Sequence, residues 1–165
     1  MLSLRPSNQA DLAAITEIYG YNVRHGTGSF EETPPPLEEL ARRREDVLAK
    51  GLPHMVAELD GHVLGFADVN LYRPRSAYRF SLEDSIYVAP EAAGRGIGTR
   101  LLDDLIRQST ALGYRQMVAV IGDSANHGSI KLHAKAGFRH VGTIQSIGFK
   151  FDRWLDSVIM QRPLE

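Results

Sequence analysis

The chain has 165 residues, of which 43% are hydrophobic and 24% charged, and its formal net charge is −1. This length favours a single domain over residues 1–165 with a substantial core. The near-neutral charge gives no general attraction to nucleic acid or to an anionic membrane. The absence of cysteine excludes disulfides and a cysteine nucleophile. With no apolar run of bilayer length and no signal-peptide pattern, the expected location is the cytoplasm.

Hydrophobic periodicity predicts seven strands and four helices. The strands are predicted at residues 2–5, 54–59, 62–70, 80–88, 116–121, 142–151 and 154–161. The helices are predicted from residue 7 or 8 to near 20, from 36 to 51, after the glycines at 94–98 up to 113, and from 127 or 128 to 136. Because helices are interspersed with strands, and Asp60-Gly61 marks an early hairpin, the sequence predicts a mixed α/β sheet.

The stretch from residue 85 to 113 has the pattern of a strand, a glycine-rich loop and an amphipathic helix. Its glycines, Gly94, Gly96 and Gly98, let the backbone turn tightly and approach a ligand. The free N–H groups and positive dipole of the helix that follows favour an anion such as phosphate. The loop lacks the lysine of a P-loop, and Thr99 replaces the third glycine of a dinucleotide fingerprint. A turn that only joins strand to helix is the alternative.

Two other groups of residues could act on a substrate. Arg73 and Arg75 flank a proline in a polar loop and could clamp a small acid group, although a basic surface loop has the same composition. Glu83 lies among apolar residues, where burial would raise its pKa and suit it to general-base catalysis. An exposed strand carboxylate is the alternative, and Asp84 points to the opposite face of a regular strand. The six histidines are scattered, so no metal is expected.

Two motifs resemble those of the GNAT acetyltransferases. Gly96-Ile97-Gly98 matches the family's pyrophosphate loop, Gln/Arg-x-x-Gly-x-Gly/Ala, with Ala93 in place of Gln/Arg. Residues 126–138 resemble the pattern Asn-x-x-Ser/Ala-x-x-Leu-Tyr-x-x-x-Gly-Phe, with His133 at the tyrosine position. The resemblance implies the GNAT fold, a mixed and mostly antiparallel sheet of about seven strands flanked by about four helices. It also implies acetyl-CoA as co-substrate, with no metal.

The same resemblance implies specific contacts with acetyl-CoA. The backbone N–H groups of residues 86–88 would polarise the thioester carbonyl. Arg95 could supply charge to the phosphates, and Asn126 would bind the pantetheine arm or a nearby water. The full set of expected acetyl-CoA contacts is Ile86, Tyr87, Val88, Gly94, Arg95, Gly96, Ile97, Gly98, Thr99 and Asn126.

Residues 27–30, 73–79, 83–88, 129–133 and 148–156 further resemble the phosphinothricin and methionine sulfoximine N-acetyltransferase branch of the family. This implies a homodimer with Glu83 as the general base and His133 as the proton donor to the departing thiolate, or as a lining residue of the channel. The implied acceptor-binding residues are Phe30, Arg73, Arg75, Tyr78, Glu83, Asp84 and Ser85.

The expected reaction is direct transfer of an acetyl group to the amine of a small amino-acid analogue, without a nucleic-acid or membrane partner. Two alternatives stay open. One is a non-catalytic CoA-sensing module, which would keep the glycine loop without the acceptor chemistry. The other is a GNAT enzyme acting on a protein N-terminus, a polyamine or an aminoglycoside, although paired arginines would repel a polycation.

Overall fold

A seven-stranded sheet in the order β1-β2-β3-β4-β5-β7-β6 organises the computed structural model, which describes residues 1–165. The strands are β1 Ser3–Pro6, β2 His54–Leu59, β3 His62–Leu71, β4 Ser81–Val88, β5 Gln116–Gly122, β6 Arg139–Lys150 and β7 Arg153–Pro163. The helices are α1 Leu12–His25, α2 Leu37–Ala49, α3 Ile97–Ala111 and α4 His127–Lys135. Short 3₁₀ turns cover residues 9–11, 76–78 and 90–92.

Only one pair of neighbouring strands is parallel, and it is short. Strands β4 and β5 pair only from Ser81 to Glu83 on β4, opposite residues 116–118 of β5. Beyond Glu83 the two strands diverge, while β4 stays paired with β3 as far as Val88. The β5-facing backbone groups of the second half of β4 are therefore left without a ladder partner, and a cleft opens between the strands.

The two faces of the sheet are covered by different helices. Leu101, Leu102 and Leu105 of α3 are fully buried against one face, and each contributes about 2 kcal/mol by leaving water. On the other face, Tyr19 of α1 packs edge-on against Tyr87 of β4. Because side chains alternate along a strand, Glu83 lies on the α1 face of β4 and Asp84 on the α3 face.

The predicted fold class is confirmed, with two shifts in element boundaries. Helix α1 runs to His25 instead of ending near Gly20, because Val23 is fully buried in the core and a mid-helix glycine costs only about 1 kcal/mol. Strand β6 begins at Arg139 instead of residue 142, since pairing with β7 continues through an irregularity after His140. None of the helices is long and apolar enough to cross a membrane.

Candidate active site

The cleft between β4 and β5 has a volume of about 1200 Å³. It is bordered by the end of α1 and the loop after it, the second half of β4, the glycine loop, the end of β5, and α4. The sequence-predicted residues that line it are Phe30, Glu83, Asp84, Ser85, Ile86, Tyr87, Val88, Gly94, Gly96, Ile97, Gly98, Thr99, Asn126 and His133. The glycine loop, the proposed base and the divergent strand edge are thus brought together in one cavity.

The glycine loop forms an open backbone cradle at the start of α3. Gly94 and Gly96 have left-handed φ angles of 76° and 78°, which disfavour residues with a Cβ. No other atom lies within 4 Å of where a Cβ would stand at either glycine. Gly96 is also the N-cap of α3, and no side chain caps the helix. The first-turn N–H groups are therefore free to bind phosphate, and together with the unpaired edge of β4 they fit acetyl-CoA.

Glu83 lies where β4 and β5 separate. Burial raises the pKa of its carboxyl, the neighbouring charge of Asp84 raises it further, and the charge of Arg73 opposes both by a smaller amount. A carboxylate with a raised pKa is a stronger base than one in water. Glu83 can therefore take a proton from an amine placed in the cleft.

The loop of residues 26–30 forms one wall of the cleft, with Phe30 at its end. The Phe30 ring is 40% exposed and packs over the backbone of Gly122 and Gly148, where any Cβ would collide with it. The buried Lys150 anchors this loop, because its Nζ donates to the carbonyls of Gly26 and Ser29 at 2.9 and 2.7 Å. Phe30 is thus both anchored against the sheet and available to a ligand.

Residues 16–138 match the Acetyltransferase (GNAT) family. This chain belongs to that family.

Similar proteins within the GNAT family act on small amino-acid analogues. The chain is 52% identical over 162 residues to phosphinothricin N-acetyltransferase of Alcaligenes faecalis, covering 98% of this chain and 82% of that protein. It is 38% identical over 164 residues to L-methionine sulfoximine/L-methionine sulfone acetyltransferase of Pseudomonas aeruginosa, covering 99% of this chain and 95% of that protein. A GNAT superfamily phosphinothricin acetyltransferase from Sinorhizobium meliloti, crystallised in complex with AcCoA, superimposes with a TM-score of 0.96 at 48% identity. The match covers 99% of this chain and 88% of that one.

In this GNAT, His133 is bound to protein on both ring nitrogens. Nε2 lies 2.8 Å from Asp84 Oδ2, and Nδ1 lies 2.8 Å from the Ser129 carbonyl. Burial lowers the pKa of His133, but the hydrogen bond and charge of Asp84 and the carbonyl of Ser129 outweigh it, so the net shift is upward. Both N–H groups of the imidazolium therefore point at protein oxygens. Donation to a thiolate would require one of these nitrogens to leave its protein partner, and both the donor role and the lining role of His133 stay predictions.

Asp84 was expected to bind the acceptor, but its side chain faces His133 of α4. Its side chain is only 2% exposed and connects β4 to α4 through His133. One of its oxygens, Oδ1, is buried without a hydrogen-bond partner.

The loop expected to hold the acceptor's acid group lies outside the cleft lining. The Arg73 guanidinium stacks 5.0 Å from the ring centre of Tyr72, whose ring in turn contacts Tyr78 edge-on. Arg73, Arg75 and Tyr78 are all exposed. Arg73 is still near enough to Glu83 for its charge to lower the pKa of that carboxyl. Of the three predicted residues, Arg73 is therefore the one placed to act at the cleft.

Arg95 also lies outside this cleft, in contrast to the sequence expectation. It borders a separate depression together with Arg5 and Glu91. Gly94 and Gly96, on either side of Arg95, both have left-handed φ angles.

Helix α4 brings cationic side chains to the cleft that the sequence analysis missed. Lys131 and Lys135 line it, and their i, i+4 spacing on a predicted helix was the available signal.

The expected ligand contact, Asn126, is instead engaged within the protein. Its side chain caps α4 at the Ser129 N–H and donates to the Gly122 carbonyl at 3.0 Å.

Proposed function

We propose that this protein transfers the acetyl group of acetyl-CoA to the amine of a small amino-acid analogue of the phosphinothricin, methionine sulfoximine or methionine sulfone type. The observation that carries the proposal is Glu83, a carboxyl with a raised pKa, beside the glycine cradle where β4 and β5 separate. The names of the similar GNAT proteins support the acceptor class. A single domain over residues 1–165 and a cytoplasmic location, both expected from the sequence, belong to the same proposal.

The chain's own groups account for the chemistry of a ternary complex. Acetyl-CoA, when bound, supplies the thioester that the amine attacks. The N–H groups at the start of α3 hold phosphate, and the unpaired edge of β4 at residues 86–88 offers donors for a carbonyl oxygen. Glu83, directly or through a water, takes the first of the two protons that the acceptor nitrogen loses. One N–C bond forms as one C–S bond breaks, and the second proton is balanced by the released thiol.

Arg73 is proposed to bind the acid group of the acceptor. Because the charge of Arg73 lowers the pKa of Glu83, we expect Arg73→Ala to raise KM for the acceptor about tenfold. We expect KM for acetyl-CoA to change less than twofold. Arg75→Ala is the matched control, with a smaller effect on the acceptor KM. Initial rates with methionine sulfone measure the acceptor KM of both variants. A larger increase in Arg75→Ala would assign acceptor binding to Arg75 instead of Arg73.

Thiol release from acetyl-CoA tests the proposed function across classes of acceptor. Methionine sulfoximine, methionine sulfone and phosphinothricin are expected to support turnover, whereas spermidine and a short peptide are not. Turnover only with spermidine or peptide would overturn the acceptor class. Tight CoA binding without turnover on any acceptor would favour a CoA-sensing module.

A homodimer is also part of the proposal, because strand β6 is a sheet edge and the β6–β7 hairpin presents an apolar surface. This hairpin surface consists of side chains that are 47–65% exposed, namely Val141, Ile144, Ile147, Phe149, Phe151 and Trp154. Several large apolar side chains left exposed on one edge hairpin indicate an interaction site. Since Ile144 and Ile147 also line the cleft, a second copy docked on the hairpin surface would border the part of the cleft that these two residues line.

Sedimentation velocity tests the homodimer. The native protein is expected to sediment at twice the chain mass, and Ile147→Asp with Trp154→Glu is expected to give a monomer because it places charges in the apolar contact. Leu112→Glu is the matched control, since Leu112 is 52% exposed at the end of α3, away from the hairpin surface. A native monomer, or dissociation by Leu112→Glu alone, would contradict the proposed interface.

A further inference from the structure

Asp68 of β3 lies beside Glu83, and the function proposed above does not use it. Asp68 stands opposite Ser85 in the β3–β4 register, and Asn70 stands opposite Glu83. Antiparallel partners share a face of the sheet, so Asp68 and Glu83 are diagonal neighbours on the α1 face. Glu83 and Ser85 both line the cleft, and the Asp68 side chain is 21% exposed. The carboxylate of Asp68 is thus partly exposed beside two residues that line the cleft, although Asp68 is not itself a lining residue.

A chain of hydrogen bonds holds His54, whose ring lies next to the carboxylate of Asp68. Arg44 Nε donates to Ser7 Oγ at 2.7 Å, and Ser7 Oγ lies 2.8 Å from Nδ1 of the buried His54. Because a guanidinium can only donate, the Ser7 hydroxyl accepts from Arg44 and keeps its own hydrogen available for Nδ1. The other ring nitrogen, Nε2, lies 3.6 Å from Asp68 Oδ2, a close contact that is too long for a hydrogen bond.

His54 does not neutralise the charge of Asp68. Burial, helped by the charge of Arg44, lowers the pKa of His54 to about 4, so the ring is neutral near pH 7. Burial raises the pKa of Asp68 to about 7, the charges of Asp84 and Glu83 add to this, and Arg43 is the cation that opposes it. An ionised Asp68 is therefore a destabilising group in the protein alone. Retention of such a group beside a proposed base is typical of a functional site.

Building on the acetyl-transfer function above, we propose that Asp68 binds the ammonium group of the acceptor together with Glu83. An ammonium has three N–H donors and one positive charge, so it can bridge two neighbouring carboxylates whose negative charges repel each other. Asp68 stays ionised and holds the nitrogen by a hydrogen bond. Glu83 takes the proton, and the nitrogen lone pair is then free to attack. Asp68 thus selects an acceptor that carries its amine close to a small acid group.

Asp68→Asn tests this role because stability and acceptor binding should move in opposite directions. Removing the charge is expected to raise Tm at pH 8 by about 3 °C or more. This gain should shrink toward pH 4, because the folded native protein then has Asp68 protonated. We expect KM for methionine sulfone to rise at least tenfold, and KM for acetyl-CoA to change less than twofold. A purely structural aspartate would lose stability together with activity.

A control and a binding measurement separate the possible outcomes. Asp60→Asn, at the exposed β2–β3 turn, is expected to leave both KM values unchanged. Calorimetry on the CoA-bound protein should show at least tenfold weaker binding of methionine sulfone by Asp68→Asn. Binding of the same acid without its amine should be equal in variant and native protein. An unchanged acceptor KM in Asp68→Asn would overturn the role of Asp68 alone, whereas absence of turnover by the native protein on all amino-acid acceptors would overturn the proposed function with it.

Discussion

Glu83→Gln is expected to lower kcat by about 10²–10⁴-fold, the usual contribution of a general base. Glutamine keeps the size and hydrogen-bonding atoms of the side chain but cannot take a proton from the ammonium. The acetyl-CoA dissociation constant should change less than twofold, because the glycine cradle and the β4 edge bind through backbone groups. Single-turnover thiol release and calorimetry with CoA measure the two quantities separately.

The pH dependence of kcat/KM and a control variant provide two further checks on the role of Glu83. Since burial raises the pKa of Glu83, the acidic limb of kcat/KM should lie above the pH at which a glutamate in water titrates, and it should be lost in Glu83→Gln. Glu38→Gln is the matched control, because Glu38 is exposed at the start of α2. Native kcat in Glu83→Gln would remove Glu83 from the role of base.

Gly96→Ala is expected to weaken acetyl-CoA binding at least tenfold. Gly96 has a φ of 78° and caps α3, so a Cβ there strains the turn by about 1–2 kcal/mol and narrows the approach to the first-turn N–H groups. The turn can relieve that strain only by moving the donors that hold phosphate. Calorimetry with CoA measures the loss directly.

Gly61→Ala is the matched control for Gly96→Ala. Gly61 has a similar φ of 82° and equally open space around it, but it lies in the β2–β3 turn, outside the cleft lining. Both variants should lower the free energy of unfolding by a similar amount, and only Gly96→Ala should change CoA affinity. Equal CoA affinity in the two variants would contradict the assignment of the cradle.

The parts of the site that could be predicted from the sequence depend on residues that are close together along the chain. The run of glycines before an amphipathic helix predicted the cradle, because left-handed turns and helix starts depend on neighbouring residues. The alternation of β4 placed Glu83 and Asp84 on opposite faces, which the β3–β4 register shows. The gap between β4 and β5 has no local signal in the sequence, since where two distant strands stop pairing is set by packing of the whole sheet.

The features that sequence missed depend on contacts between distant residues. The partner of His133 is Asp84, 49 residues away, and no local pattern predicts that both ring nitrogens are occupied. Arg95 borders a depression formed with Arg5, which is 90 residues earlier in the chain, and no local pattern predicts that position. Asp68 looks like an ordinary polar residue of an alternating strand. Its charge becomes significant only when β4 places Glu83 beside it and β2 places His54 behind it.

Initial rates of thiol release, with acetyl-CoA and methionine sulfone varied together, test the central claim most directly. Direct transfer in a ternary complex to an amino-acid amine predicts turnover with intersecting double-reciprocal lines. Parallel lines would indicate a covalent acetyl-enzyme and contradict direct transfer. Absence of thiol release with methionine sulfone, methionine sulfoximine and phosphinothricin alike would contradict the proposed acceptor.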